Sequence, residues 1–223
     1  MKMVVVGGNS RNIGKTAVVA GLIRALPHYD WTAIKLTQYG HGVCAADGKD
    51  CDCAPDEHPF AVTEETDRSG ESDTSRFLVA GARRALWVRV RMGMLETVLP
   101  ALRQAIAGED SVILESNSIL RFYQPTVYLT VLDPARQDFK ESAREFLERA
   151  DAVLMPEAGL SLITRNDISM SFRSSLPWEG IALDVIRRKP NFPISPAQHV
   201  TPEIAAFVEQ RLVRAGTAVP ILT

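Results

Sequence analysis

Residues 4–16 read Val4-Val5-Val6-Gly7-Gly8-Asn9-Ser10-Arg11-Asn12-Ile13-Gly14-Lys15-Thr16. The three valines favour a short buried strand, the polar and glycine-rich middle favours a loop, and the apolar residues after Lys15 recur at helical spacing. A glycine-rich loop that leads from a buried strand into a helix, with Gly-Lys-Thr at the junction, is the arrangement that binds phosphate. The stretch therefore predicts a phosphate-binding loop in an α/β domain.

Each part of this loop has an expected role toward a nucleoside triphosphate. Backbone N–H groups and the positive end of the helix dipole are expected to surround the β-phosphate, Lys15 to neutralise the β- and γ-phosphates, and Thr16 to ligate Mg²⁺. The strict spacing of such loops has a glycine at position 9, where this chain has Asn9. The residues predicted to bind the nucleotide are Gly8, Asn9, Ser10, Arg11, Asn12, Ile13, Gly14, Lys15, Thr16 and Ala17.

Strand and helix signals alternate through the first two thirds of the chain. This alternation predicts a mostly parallel sheet covered on both faces, a three-layer α/β/α fold in one domain spanning residues 1–223. Strands are predicted at 31–36, 86–90, 112–114, 127–132 and 152–155, and helices at 15–26, 73–82, 94–107 and 140–149. After position 156 we expect short strands around 160–164 and 180–186 and a terminal helix over 202–214.

Composition excludes several classes of protein. Of the 223 residues, 46% are hydrophobic and 23% are charged, and the net charge is -2, which excludes a disordered tail and a generally basic nucleic-acid binder. No apolar run approaches the roughly 18 to 20 residues that cross a bilayer. We therefore expect a cytoplasmic protein with a small-molecule substrate and neither nucleic acid nor a membrane as partner.

An acidic segment interrupts the alternating pattern at about residues 38–72. Ten acidic residues against two basic ones lie between positions 38 and 74, and all three cysteines of the chain lie there too. The stretch shows no helical or strand period, so we interpret it as a long functional loop or a small inserted subdomain. Its candidate ligands for Zn²⁺ are His41, Cys44, Cys51, Cys53 and His58. Free thiols in an exposed loop are the alternative, because the Cys-x6-Cys-x-Cys spacing is not that of a zinc ribbon.

A carboxylate that could assist Mg²⁺ binding follows a second buried strand. An acid follows three aliphatic residues in Ser111-Val112-Ile113-Leu114-Glu115. In phosphate-loop proteins, an acid at the end of a strand helps to hold Mg²⁺. We predict this role for Glu115, with a salt bridge at the edge of the core as the alternative. Asp133 also follows a predicted strand, as a second water-orienting group or as a turn residue before Pro134.

These motifs together resemble a known group of P-loop NTPases, typified by dethiobiotin synthetase and the molybdopterin-guanine dinucleotide biosynthesis protein B. The resemblance covers two thirds of the chain and is carried by residues 8–16, by Ala33-Ile34-Lys35-Leu36-Thr37-Gln38 and by residues 112–116. It implies that Lys35 reaches the reacting phosphate or the substrate, unless this strand-end lysine simply points into solvent. It also implies a homodimer. After the strand-end acid, the synthetase has a glycine-rich stretch where this chain has Ser116-Asn117-Ser118.

Three functional classes fit these observations. The first is an enzyme of the kinase or ATP-dependent ligase type with a role in cofactor biosynthesis, in which Lys15, Lys35 and Glu115 are catalytic. The second is a nucleotide-driven switch for metal delivery or molybdenum-cofactor assembly, and the third is a non-catalytic nucleotide-binding regulator. The nucleotide is ATP or GTP. Thr164-Arg165-Asn166-Asp167 only loosely matches a guanine-reading element, and a helix or turn cap explains Asp167 better.

Overall fold

The structure, a computed structural model, describes residues 1–40, 59–164, 178–181 and 183–214. Within these ranges, eight strands form one sheet. The strands are β1 (Lys2–Gly8), β2 (Thr32–Tyr39), β3 (Phe60–Glu64), β4 (Arg84–Arg91), β5 (Ser111–Glu115), β6 (Val127–Val131), β7 (Ala152–Pro156) and β8 (Asn191–Ile194). The helices are α1 (Lys15–Ala25), α2 (Asp73–Val79), α3 (Leu95–Ala105), α4 (Glu141–Phe146), α5 (Glu157–Thr164), α6 (Leu183–Arg187) and α7 (Pro202–Arg214).

The order of the strands brings the first half of the chain to the centre of the sheet. The order is β3-β4-β2-β5-β1-β6-β7-β8, and every pair is parallel except β3 with β4. In parallel strands, the carboxyl ends meet at one edge of the sheet. The loop after β1 therefore lies beside the ends of β2, β5 and β6.

Helices cover both faces of the sheet and create the core. On one face, α1, α2 and α7 pack against alternate residues of the central strands. In α7 the buried side chains are Ile204, Val208 and Leu212, spaced by four residues as one face of a helix requires. On the other face, α3 to α6 pack against the remaining residues of the strands. The predicted three-layer α/β/α class is thus confirmed.

Several predicted elements differ in the structure. The acidic segment was expected to lack regular structure, yet β3 lies inside it, paired antiparallel with β4. The apolar run expected as a strand at 160–164 belongs to α5, and α6 replaces much of the strand expected at 180–186. The strand β8 was not predicted. It contains Pro193, which is tolerated because β8 lies at the edge of the sheet.

Three further expectations concern membrane-spanning helices, the candidate metal ligands and the candidate guanine-binding residues. Among the described residues, no helix has the length and apolar character needed to cross a membrane. The proposed zinc ligands His41, Cys44, Cys51, Cys53 and His58 all lie outside the described residues, as do Arg165, Asn166 and Asp167 of the candidate guanine-reading element. In the part of the chain that is described, no group of three or more histidine, cysteine or acidic residues is arranged to hold a metal ion.

Candidate active site

The loop between β1 and α1 has the backbone shape that its glycines allow. Gly14 adopts a left-handed conformation with φ of 89°, which side-chain-bearing residues rarely do, and it precedes the first turn of α1. A Cβ atom at this position would come within 2.9 Å of the His199 ring. Asn12 is also left-handed, with φ of 54°, a conformation that asparagine tolerates better than most residues. The loop thus contains two left-handed residues within three positions of the start of α1.

Asn9, which replaces the expected glycine, anchors the loop from behind. Its side chain is fully buried. The side-chain oxygen accepts a hydrogen bond of 3.0 Å from the Asp133 N–H, and its amide nitrogen donates to the Asp138 carbonyl at 3.2 Å. The Lys140 N–H donates in turn to the Asn9 carbonyl at 2.8 Å. Asn9 thus faces the segment after β6 rather than a nucleotide, which explains why this site tolerates a side chain.

A second asparagine fixes the start of the loop. The Asn117 side chain accepts a hydrogen bond of 2.8 Å from the Gly8 N–H and donates one of 2.9 Å to the Gly8 carbonyl. Both atoms of the amide group are therefore paired with the backbone of one residue. Gly7 makes this approach possible, because a Cβ atom there would overlap the Asn117 side-chain oxygen. Asn117 takes the position after the strand-end acid where the resembled synthetase carries glycines.

The predicted phosphate and magnesium residues converge at the mouth of the loop. Lys15 arches across it, and its ammonium donates to the Ser10 carbonyl at 2.6 Å. The Thr16 hydroxyl donates to a Glu115 carboxylate oxygen at 2.8 Å. Glu115 ends β5 with only 4% of its surface exposed, so its carboxylate faces the loop and not solvent. The contact brings together two residues that are 99 positions apart in the chain.

Lys35 does not point into solvent, as one alternative had it. Its ammonium lies 2.6 Å from Glu115 and 2.9 Å from Asp73, which begins α2. The same nitrogen lies 3.5 Å from the Thr16 hydroxyl. Lys35 therefore occupies the space between two carboxylates and the residue expected to ligate Mg²⁺. Contact of Lys35 with the reacting phosphate or the substrate, which the resemblance implies, stays a prediction.

The two lysines have opposite electrostatic environments. Burial lowers the pKa of Lys15 to about 8, and the like charges of Lys140 and Lys35 lower it further against the opposing attraction of Glu115. Burial also acts to lower the pKa of Lys35, but Glu115 and Asp73 outweigh it and raise that pKa above its usual value. Lys15 is thus the cation whose charge is poorly compensated. A polyanion such as a triphosphate would restore the balance there.

The oxygen atoms at this position suit a small divalent cation. Mg²⁺ prefers oxygen ligands at 2.0–2.1 Å in octahedral geometry, so that neighbouring ligand oxygens lie roughly 3 Å apart. The Thr16 and Glu115 oxygens lie 2.8 Å apart. Asp73 adds a second carboxylate on the far side of Lys35. The donor set therefore fits Mg²⁺, with Thr16 and Glu115 as the residues that would hold it.

Other members of the site were not predicted from the sequence. The Asp138 carboxylate accepts hydrogen bonds of 2.8 and 2.7 Å from the Ser10 hydroxyl. Lys140 adds a cation beside the loop. Burial and the nearby positive charge of Arg11 lower the pKa of Lys140. His199, whose pKa burial lowers, packs against Gly14 from the segment before α7. All three come from distant parts of the chain, and no local spacing marks them.

The remaining predicted residues have simpler positions. Arg11 and Asn12 are exposed at the tip of the loop, Ile13 is buried in the core beneath it, and Ala17 is half-buried in the first turn of α1. The Asp133 carboxylate accepts a hydrogen bond of 3.0 Å from the Ala135 N–H, which is the turn role expected before a proline. Asp133 therefore contributes its backbone to the loop and not its charge.

No protein-family model and no curated protein matches the sequence. The chain is similar to HypB from Helicobacter pylori, solved in complex with nickel, with 13% identity, a TM-score of 0.42 and coverage of 94% of this chain and 83% of that one. It is also similar to the "apo" form of LpxK from Aquifex aeolicus, solved in complex with ATP, with 17% identity, a TM-score of 0.45 and coverage of 86% of this chain and 53% of LpxK.

The chain therefore spans about half the length of that LpxK chain. The predicted phosphate-loop architecture is confirmed by the strand order and by the loop geometry of the chain itself. The finer resemblance to the dethiobiotin synthetase group stays a prediction. The roles of the predicted site residues stay predictions as well.

Proposed function

We propose that this protein is a P-loop enzyme that binds a magnesium nucleoside triphosphate and transfers its γ-phosphoryl group to a small molecule, as a kinase or ligase does. The observation that carries the proposal is the contact of Glu115 with Thr16 at the mouth of the loop, beside Lys15 and Lys35. A strand-end acid that faced away would have favoured a non-catalytic regulator. Its position supports the catalytic class.

Nucleotide binding would use groups that are already arranged. The backbone N–H groups of residues 10–16 and the amino end of α1 would receive the β-phosphate. Lys15 would exchange its hydrogen bond with the Ser10 carbonyl for the β- and γ-phosphates, which offer the negative charge it lacks. Thr16 and Glu115 would hold Mg²⁺, which when bound neutralises charge on the phosphate oxygens.

Transfer would need groups on the γ-phosphate side of the site. In this step, the bond from the γ-phosphorus to the bridging oxygen breaks, and a bond forms from the same phosphorus to an acceptor oxygen. Lys35, once it leaves Glu115, can stabilise the charge on the transferring group. An acceptor hydroxyl also loses a proton, for which Asp73 is a partly exposed carboxylate within reach of Lys35. An acceptor carboxylate, as in a ligase, has no proton to lose.

The alternative of a metal-delivery switch depends on His41, Cys44, Cys51, Cys53 and His58, which lie outside the described residues. No contact in the described part of the chain favours it. We therefore retain it as a sequence-based hypothesis only, together with zinc binding, the homodimer and a role in cofactor biosynthesis.

Two substitutions with matched controls test the proposed function. Lys15→Ala should lower the affinity for Mg-ATP and Mg-GTP at least tenfold, whereas Lys189→Ala, beyond the opposite edge of the sheet, should not. Glu115→Gln should reduce phosphate release from the preferred nucleotide by orders of magnitude while binding persists. Its control is Glu109→Gln, because Glu109 lies just before the other end of β5.

Calorimetric titration and a phosphate-release assay give both results. A wild-type protein that binds neither nucleotide at millimolar concentration would refute the proposal. Full turnover by Glu115→Gln would assign the magnesium acid elsewhere, with Asp73 as the next candidate.

A further inference from the structure

Arg89 is a buried cation that the proposed transfer reaction leaves unexplained. It lies in β4, and only 4% of its surface is exposed. Its guanidinium stacks on the Trp87 ring, with 4.3 Å between the guanidinium carbon and the ring centre. One terminal nitrogen donates to the Thr63 hydroxyl at 3.1 Å. The Nε atom is buried and has no hydrogen-bond partner.

The charge of Arg89 is uncompensated in the described part of the chain. There it forms no ion pair with any carboxylate. Arg84, in the same strand, shows the usual solution, since its guanidinium is paired with both Glu64 and Glu109 at 2.7 Å. Removing a guanidinium from water is costly unless an anion and hydrogen-bond acceptors replace the water. A ligand anion would supply the partner that the described residues do not provide.

The position of Arg89 connects it with the phosphate site. In the parallel register of β2 and β4, Lys35 is opposite Trp87 and Thr37 is opposite Arg89. Side chains of opposite residues project from the same face of a sheet, so Arg89 lies on the face that carries Lys35. Strand geometry separates the Cα atoms of Lys35 and Arg89 by roughly 8 Å, which is less than the combined reach of their side chains.

Tyr39 provides an independent sign that these groups converge. It follows Lys35 and Thr37 at two-residue intervals on the same face of β2. Burial raises the pKa of its phenol, and the positive charges of both Arg89 and Lys35 oppose that rise. The phenol oxygen is therefore close enough to feel both cations. Tyr39, Lys35 and Arg89 thus lie on one face of the sheet toward the carboxyl ends of β2 and β4.

We propose that Arg89, with Tyr39, binds an anionic group of the acceptor molecule, a carboxylate or a phosphate, and so holds the acceptor beside Lys35. A guanidinium suits this role because its planar fork gives two parallel hydrogen bonds to such an oxyanion. The free Nε atom is one of the donors that such a fork uses. The inference rests on the proposed function, since it names the class of substrate that the same site would take.

Inorganic phosphate and malonate are suitable probes for this site. Each is titrated by calorimetry into protein saturated with Mg²⁺ and a non-hydrolysable analogue of the preferred triphosphate, so that the P-loop and the γ-phosphate position are filled. The variants are Arg89→Gln, Arg89→Lys and, as a control for net charge, Arg121→Gln. Arg121 is exposed and paired with Glu145. Without nucleotide, Lys15→Ala is compared with the double variant Lys15→Ala/Arg89→Gln, so that the difference between the two reports on Arg89 and not on the P-loop backbone.

We expect saturable binding of at least one probe to wild type, to Arg121→Gln and to Lys15→Ala. Arg89→Gln should weaken it at least tenfold, and Arg89→Lys should weaken it less, because charge is kept while the fork is lost. Preference for phosphate or for malonate identifies the anion. Without any probe, Arg89→Gln should unfold at the same temperature as wild type or higher, because it removes an unpaired buried charge.

Three results would overturn the inference. The first is that neither probe binds to wild type, and the second is that Arg89→Gln binds the probe as tightly as wild type does. A melting temperature of Arg89→Gln several degrees below that of wild type would also overturn it, because it would mark Arg89 as a structural residue. Failure of nucleotide binding in wild type is a different result. It refutes the proposed function, and the comparison of Lys15→Ala with Lys15→Ala/Arg89→Gln without nucleotide still decides whether Arg89 binds an anion.

Discussion

Replacing Lys35 with methionine removes the ammonium that lies between two carboxylates while keeping most of the apolar stem. The ammonium is 2.6 Å from Glu115 and 2.9 Å from Asp73. Breaking one side of a buried ion pair costs about 3 to 5 kcal/mol. Here Asp73 is partly exposed and Thr16 still donates to Glu115, so the cost should lie at or just below the lower end of this range. We expect Lys35→Met to lower the free energy of unfolding by about 2 to 3 kcal/mol without Mg²⁺.

For a chain of this length, that loss corresponds to a melting temperature lower by roughly 5 to 10 °C. The loss should be constant from pH 6 to pH 9. The pKa of Lys35 is raised above its usual value of 10.5. A raised lysine pKa adds stability that is fully present below the unfolded-state value and is lost as pH rises through the folded-state value. The difference between wild type and variant should therefore shrink only above about pH 10.5.

Urea unfolding, followed in EDTA and again with Mg²⁺ and nucleotide, measures both the loss and its reversal. Mg²⁺ and Lys35 compete for Glu115 in wild type but not in Lys35→Met, so the ligands should stabilise the variant more. Arg121→Met is the control, because it breaks an exposed pair with Glu145, which contributes less than about 1 kcal/mol. The reasoning fails if Lys35→Met costs no more than this control, or if Mg²⁺ and nucleotide stabilise both proteins equally.

Two further predictions concern Lys15 and the start of the loop. Burial lowers the pKa of Lys15 to about 8, so part of the protein has a neutral Lys15 at pH 8.5. Nucleotide binding should therefore protonate Lys15, with an uptake of between roughly half and one proton at pH 8.5 and almost none at pH 7. Calorimetry in buffers of different ionisation heat measures this uptake. An uptake that does not change with pH would contradict it. Gly7→Ala should cost about 2 to 4 kcal/mol by expelling Asn117 from its two hydrogen bonds with Gly8. In urea unfolding, Gly7→Ala with Asn117→Ala should cost clearly less than the sum of the single changes, and simple additivity would refute the clash.

The part of the site that was predictable from sequence is the part that local spacing encodes. Gly14, Lys15 and Thr16 are adjacent, and their strand, loop and helix contexts agree with one another. Glu115 was recognisable because an acid directly after buried aliphatic residues has few structural roles. Asn117 was visible only as a departure from a related pattern. Its function depends on Gly8, which lies 109 residues earlier, and no local period reports such a contact.

The predicted secondary structure was wrong where contacts with distant residues, and not local sequence preference, decide between strand, helix and loop. β3 contains partly exposed residues and lies in an acidic stretch, so its strand state depends on its hydrogen bonds with β4. The short apolar run in α5 is equally compatible with a strand and with a helix. In the structure it is helical, and Gly159 allows the helix to pack closely against Pro134. Arg89 was missed for a similar reason, because alternation in β4 shows its sheet face but not its missing partner.

The charge distribution suggests the order in which this site is filled. Lys15 and Lys35 are both largely buried at one loop, yet the pKa of the first is lowered and that of the second is raised. The difference arises because Glu115 and Asp73 contact Lys35, whereas the ammonium of Lys15 is bonded to a carbonyl. A triphosphate therefore gains most from Lys15. Lys35 becomes free to turn toward the γ-phosphate and Arg89 only when another cation compensates Glu115, so the proposed transfer arrangement requires nucleotide and Mg²⁺ together.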